Sequence, residues 1–145
     1  MSAHAGVVIP DAGPLAQREK VALVAEILLA YARTRWWLRR RNLPGALLEL
    51  RSTAIRLPSA PADATRTGRR LGRAVVRTLS LLPTDSRCLT RSLVLTNLLA
   101  RRGIESSLVL GVQPGETFAA HAWVEHDTAP LLDPGEFASR RLTTL

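Results

Sequence analysis

The chain has 145 residues, 46% of them hydrophobic, with one cysteine, so it can bury one real core and cannot close an internal disulfide. Its net charge of +8 is uneven: residues 1–82 carry 14 Lys and Arg against 5 Asp and Glu, and residues 83–145 carry 6 against 7. The only lysine, Lys20, lies in no glycine-rich loop, which excludes a P-loop, and no zinc spacing or ribonucleoprotein motif accompanies the basic half.

Three readings of that basic half follow, in order: a solvated set of helix faces, a docking surface for an acidic protein or peptide, and a nucleic-acid binder. The most apolar window, "VALVAEILLAYA" over residues 21–32, is too short for a membrane span, which needs about 18 residues, and it contains a glutamate. The first residues lack a basic region followed by an apolar run, so no signal peptide is expected and the expected location is the cytoplasm.

Residues 1–14, with Pro10, Gly13 and Pro14, are expected to form a loose arm ahead of a single domain over 15–145. A helical pattern runs from Leu15 to about Arg41, with Val21, Val24, Leu28, Tyr31 and Leu38 as its apolar positions. "NLPG" at 42–45 breaks it, and Pro44 suits the opening of a shorter helix that runs to about Ile55. The segment 57–68 reads as a linker, and a third helix spans about Ala64 to Leu81, with Leu71, Val75, Val76 and Leu79 on its apolar side.

The character changes after Pro83. Residues 87–102 form a helix that is apolar almost all round, with only Thr90, Asn97 and Arg101 as a narrow polar stripe, and Gly103 caps its end. Strands are expected over 106–112, 118–126 and 129–133, with a turn at "QPGET" and a reversal at Asp127–Thr128. Helices followed by helix–strand–strand–strand give an α+β fold: a helical basic part (15–82), then a buried helix packed on a small antiparallel sheet (83–145).

Cys88 stands just after Thr84, Asp85 and Ser86, all good N-cap types, so it belongs to the first turn of the buried helix. There the unpaired N–H groups and the helix dipole favour a thiolate, and Arg87 and Arg91 add positive charge. The alternative is a small buried hydrophobe, which most free cysteines are. A nucleophilic thiolate needs a base. His4 lies in the arm; His121 and His126 share a strand but are five apart, so they point to opposite faces. His121 is mid-strand between Ala120 and Ala122 and is the candidate base, read as facing the helix; a core histidine held by a carbonyl is the rival reading. His126, at the strand end beside Asp127, reads as solvated.

Asp133 in "LLDPG" is returned alongside 121–123 by the reversal, where an acid would hold the imidazole in one tautomer. Glu125, Asp127 and Glu136 are rivals, and a plain turn aspartate before proline is the bland reading. Cys88, His121 and Asp133 make a Cys–His–Asp constellation in the chain order of papain-like folds. No C-x-x-C or H-x-x-x-H pair exists, so no metal is expected, and no cofactor.

Carried on "SRCLTRSLVLTNLLARRGIESSLVLGV", "FAAHAWVE" and "LLD", the chain resembles the transglutaminase-like leader peptidases of lasso-peptide biosynthesis, most strongly over residues 83–133. The ordered set C-L-x-R-S-L, R-R-G-I, G-V and A-H-A-W-V-E is what makes the resemblance specific. It implies a papain/transglutaminase-like core in which Cys88, His121 and Asp133 are nucleophile, base and orienting acid of a cysteine protease. It also implies the work of the enzyme: cutting the leader from a ribosomally made precursor peptide, so that a ring-forming cyclase can act on the new amino terminus.

The family's leader-binding module is a small domain with a hairpin or three-stranded sheet. Residues 1–82 show no strand pattern, so a separate leader-binding protein is implied. Trp36 and Trp37 lie about 100° apart on a helix, so one is expected at a boundary or exposed. With Arg39 and Arg40 they are the candidate docking face for that partner or the leader, against plain packing. Trp123, on the His121 face, either shields the triad and lines the cleft or packs in the core. Two other functions stay open: an acyltransferase that passes the thioester to an amine, and a non-catalytic basic binding module.

Overall fold

The computed structural model describes residues 14–52, 63–82, 88–113, 119–137 and 141–145, and in them four helices precede a four-stranded antiparallel sheet. The α+β reading therefore holds. The expected arm, the N-cap residues Thr84 to Ser86, the turn at "QPGET" and most of the 57–68 linker lie outside the described residues.

Helix α1 (Pro14–Arg40) buries Ile27, Ala30 and Thr34, with Leu23, Tyr31, Trp37 and Leu38 packed beside them. This corrects part of the expected apolar side, in which Tyr31 and Leu38 do pack on the core. Val21, Val24 and Leu28 instead stand 67%, 41% and 38% exposed. The reason is that α1 is apolar on two faces, so spacings of three and four fit either one.

Asn42 caps helix α2 (Leu43–Ser52): its Oδ1 accepts from Gly45 N at 3.0 Å, and Pro44 sits in the first turn where no N–H is needed. Asp63 does the same for α3 (Ala64–Leu79), accepting from Arg66 N at 3.0 Å, so the helix starts at Ala64 as expected. The face of α3 that turns inward is Gly68, Leu71, Gly72, Val75 and Leu79, at helical spacing.

Helix α4 (Cys88–Arg101) is the centre: every residue from Ser92 to Leu99 is buried, and α1, α2, α3 and the sheet all pack on it. Fully burying each of Leu93, Leu95, Leu98 and Leu99 is worth about 1.5–3 kcal/mol relative to exposure. The expected polar stripe is not a solvated one. Asn97 is wholly buried and donates from Nδ2 to the Leu50 carbonyl at 2.7 Å, stitching α4 to α2. Glu26 on α1 holds Arg102 at 2.9 Å and Arg101 at 3.6 Å. Gly103, at φ 70°, ends α4 as expected, with Ile104 N on the Leu99 carbonyl at 3.0 Å.

The sheet runs β3-β2-β1-β4, from β1 (Ser107–Gln113), β2 (Ala119–His126), β3 (Ala129–Pro130) and β4 (Arg141–Thr144). The reversal is a two-residue turn with φ 48° at Asp127 and 68° at Thr128, as a type I′ hairpin requires. The third strand is shorter than the expected 129–133: Pro130 has no N–H, and after Leu131 N meets the Val124 carbonyl the chain leaves the ladder. Strand β4 is not foreshadowed, because its four residues are all exposed and show no alternation.

Candidate active site

Cys88 is the first residue of α4 and is half-buried. Main-chain N–H groups in a first helical turn have no partner within the helix and point at whatever lies before it. A cavity of about 400 Å³ opens there, lined by Cys88 and Arg91 of α4, Val76 of α3, His121 and Ala122 of β2, and the run Leu132 to Gly135 with Phe137. The three predicted residues Cys88, His121 and Asp133, brought from stretches far apart in sequence, all line this one pocket.

His121 reaches it by an unexpected route. Ala122 and Val124, with Leu108 opposite Val124, join the core that α4 builds, whereas the fully buried Val109 and Trp123 stand outside that core. The parity of the strand then puts His121 on the face away from α4, not the face toward it. What makes it available is the edge of β2. Because β3 pairs only with Glu125 and His126, the stretch around His121 has no strand on the side away from β1, and the 131–137 segment runs past there instead.

The contact between His121 and Asp133 differs from the expected one. His121 Nε2 lies 2.8 Å from the main-chain carbonyl of Asp133, while the Asp133 carboxylate accepts from Gly135 N at 2.8 Å. The carboxylate caps the 3₁₀ turn Gly135–Phe137, whose Phe137 N also meets the Pro134 carbonyl at 3.1 Å. A carbonyl oxygen only accepts, so Nε2 donates this hydrogen bond, and in the neutral ring it is Nδ1 that carries the lone pair. The imidazole is further held between Phe137 (centroids 5.5 Å apart) and Trp123 (6.0 Å, stacked at 25°).

Trp123 does not line the cleft and offers no docking surface. It is fully buried, and its Nε1 donates to Glu125 Oε2 at 2.9 Å. Glu125 also takes a short hydrogen bond from Arg141 of β4. Burial works against its ionisation, but the hydrogen bonds from Arg141 and Trp123 and the charge of Arg141 outweigh it, leaving the carboxyl below its ordinary range. Glu125 thus supports the floor under His121 and does not orient the ring. His126, on the other face, is held by the Glu105 carbonyl at 2.7 Å and by Asp127 at 3.4 Å.

Trp36 is 53% exposed with the Arg40 guanidinium 3.9 Å above its ring, while Trp37 is half-buried against the core; neither lines the pocket. Ser86 and Arg87 lie outside the described residues. No group of three His, Cys, Asp or Glu side chains among the described residues converges as a metal site needs.

Two glycines matter here that the sequence reading passed over. A Cβ on Gly72 would stand 2.5 Å from the Leu131 carbonyl oxygen, and one on Gly68 would stand 2.6 Å from Leu131 Cδ1. Their missing side chains let the chain before Asp133 lie directly on α3, where Arg69 Nε also donates to the Pro130 carbonyl at 3.2 Å. Two glycines four apart inside "TGRRLG" are the signal for such a close approach.

A cysteine opening a central helix, beside a histidine on an antiparallel strand and an aspartate after the next, is the arrangement of cysteine-based enzymes with an α+β core. The chain belongs to the transglutaminase-like superfamily, whose family model matches residues 25–145. Members of that superfamily are usually cysteine-based enzymes. No curated protein and no solved structure matches the chain.

Proposed function

We propose that this chain is a cysteine peptidase that removes the leader from a ribosomally made lasso-peptide precursor, delivered by a separate leader-binding protein. The observation that carries the reading is the pocket that Cys88, His121 and Asp133 all line, with His121 Nε2 on the Asp133 carbonyl. The ordered motifs from Cys88 to Asp133 support the substrate class. The exposed Trp36 with Arg39 and Arg40 is a candidate surface for the leader-binding protein or the leader peptide.

In this mechanism His121 Nδ1 takes the Cys88 thiol proton as the sulfur attacks the scissile carbonyl. The oxyanion faces the Cys88 N–H at the opening of α4. The C–N bond then breaks, the imidazolium proton passes to the leaving amine, and the core peptide departs with a free amino terminus. The leader remains as a thioester on Cys88. Water, deprotonated by Nδ1, hydrolyses it, releasing the leader acid and the thiol.

The test combines the chain, the leader-binding protein and the precursor, with Cys88→Ala in parallel. Cleavage is expected to fall by about 10⁴-fold or more in the variant. Full cleavage by Cys88→Ala ends the peptidase reading. The superfamily match also admits acyl transfer, and product mass decides: a new free amino terminus means hydrolysis, and a mass gain from an added amine means transfer.

A further inference from the structure

Three depressions on the surface are neighbours that share lining residues. The Cys88 pocket shares Val76, Leu132 and Asp133 with a second hollow over α3, which also takes in Gly72, Arg73, Arg77 and Leu131. That hollow in turn shares Arg73 and Arg77 with a third, of about 420 Å³, set between α1 and α3. The floor of the third is apolar, from Leu23, Val24, Ile27 and Ala74, and its charged lining is Lys20, Arg70, Arg73 and Arg77.

Among the described residues, no acidic side chain lines this third groove, and none of its four cations enters an ion pair. The four cations are all exposed; of the nearby acids on α1, Glu26 is taken by Arg101 and Arg102, and Glu19, next to Lys20, does not line the groove. Four like charges around an apolar floor repel one another until an anionic ligand arrives.

We infer that this groove is the outer end of a substrate track: it holds an acidic, amphipathic segment of the peptide whose scissile bond lies at Cys88. The inference rests on the peptidase reading for the identity of the occupant. Acidic side chains of that segment meet Lys20, Arg70, Arg73 and Arg77, and its apolar side chains meet the floor. Between Arg70 and Arg77 the axis of α3 advances about 10 Å, the reach of about three extended residues. A nucleic acid fits less well, since the described lining offers no aromatic ring for a base to stack on. This groove is distinct from the Trp36 surface, which lies about 24 Å further along α1 than Lys20.

The experiment uses the full chain and a labelled peptide of repeating Glu-Leu-Leu-Glu sequence, with and without an apolar extension long enough to reach Cys88. Binding is read by fluorescence anisotropy, and occupation of the pocket by the rate at which iodoacetamide alkylates Cys88. The peptide is expected to bind the wild type and Cys88→Ala equally, and to bind Arg70→Glu/Arg73→Glu/Arg77→Glu about 30-fold or more weakly. The corresponding triple Gln variant should lose less, and circular dichroism confirms that both variants fold. The extended peptide should slow Cys88 alkylation in the wild type and fail to do so in the Glu variant at the same concentration.

Unchanged binding by the Glu variant overturns the inference. So does equally tight binding of polyglutamate or of a single-stranded DNA oligonucleotide, because either shows that charge alone is recognised. Binding without protection of Cys88 overturns the continuous track. Binding with protection, but no cleavage of the precursor by the wild type, sinks the peptidase reading and leaves the track standing.

Discussion

The helical part of the chain and the part that follows Pro83 divide charge and shape between them. Residues 1–82 hold 14 Lys and Arg against 5 Asp and Glu, and their helices leave large apolar side chains outside, with Val21 at 67% and Leu48 at 66% exposure. Residues 83–145 are nearly neutral, at 6 against 7, and hold α4, whose eight consecutive buried residues are covered by α1, α2 and α3 as well as by the sheet. The pocket chemistry comes from this second part, in Cys88, His121 and Asp133; the cationic groove comes from the first, in Lys20 and α3. On the proposed function, the difference is one of roles: the basic half presents surface for recognition, while the neutral half fixes reacting groups.

Removing the base is the strongest test of that division. His121→Ala should lower precursor cleavage by about 10³–10⁴-fold while leaving anisotropy binding of the acidic peptide unchanged. A matching loss of binding would show that recognition and chemistry are not separable.

Asp133 comes next and separates two kinds of support. Its carbonyl, not its carboxylate, meets His121, and any residue supplies a carbonyl. Asp133→Asn keeps an oxygen for Gly135 N, so cleavage should fall by less than about 10-fold. Asp133→Ala releases the turn, and a loss of about 10–100-fold is expected. A loss near 10⁴-fold in Asp133→Asn would instead mean that the carboxylate moves onto the imidazole during the reaction.

Gly72→Ala tests whether the two halves meet cleanly. The new methyl would stand 2.5 Å from the Leu131 carbonyl, a main-chain atom that cannot rotate away. Overpacking of this kind costs about 1–3 kcal/mol, read as a lower urea midpoint. Because the displaced segment carries Asp133, cleavage should fall as well, although α3 belongs to the basic half. Wild-type stability and rate in this variant would break the link.

How much of this was legible in the sequence follows from which signals are local. Helix limits were readable because Asn42, Pro44 and Gly103 act on their own neighbours. That Cys88, His121 and Asp133 would line one pocket was readable because each combines a chemical type with a position in its element. The face of α1 was not, since Val21 and Ile27 are equally apolar and only the tertiary fold chooses between them. Nor was the orientation of His121. Alternation pairs it with Trp123 and Glu125, but cannot say which side α4 covers. Strand β4 was hidden because an edge strand with four exposed residues has no buried face to show.

Glu125 gives the smallest effect and probes the floor under the site. Its folded carboxyl titrates below the ordinary value of about 4.3, because hydrogen bonds from Arg141 and Trp123 and the charge of Arg141 outweigh the burial that opposes ionisation. A depressed carboxyl adds stability that is complete above its unfolded value. That contribution is lost as pH falls from about 4.3 through the lower folded value, where the unfolded chain binds the proton first. Arg141 is 44% exposed, so solvent weakens the pair, and Glu125→Gln should cost only about 1 kcal/mol near neutral pH. Urea midpoints of wild type and variant should therefore converge as the pH is lowered below about 4. A gap that stays constant across that range would mean that Glu125 acts through its shape and hydrogen bonds alone, and that its charge adds nothing to the surface on which His121 rests.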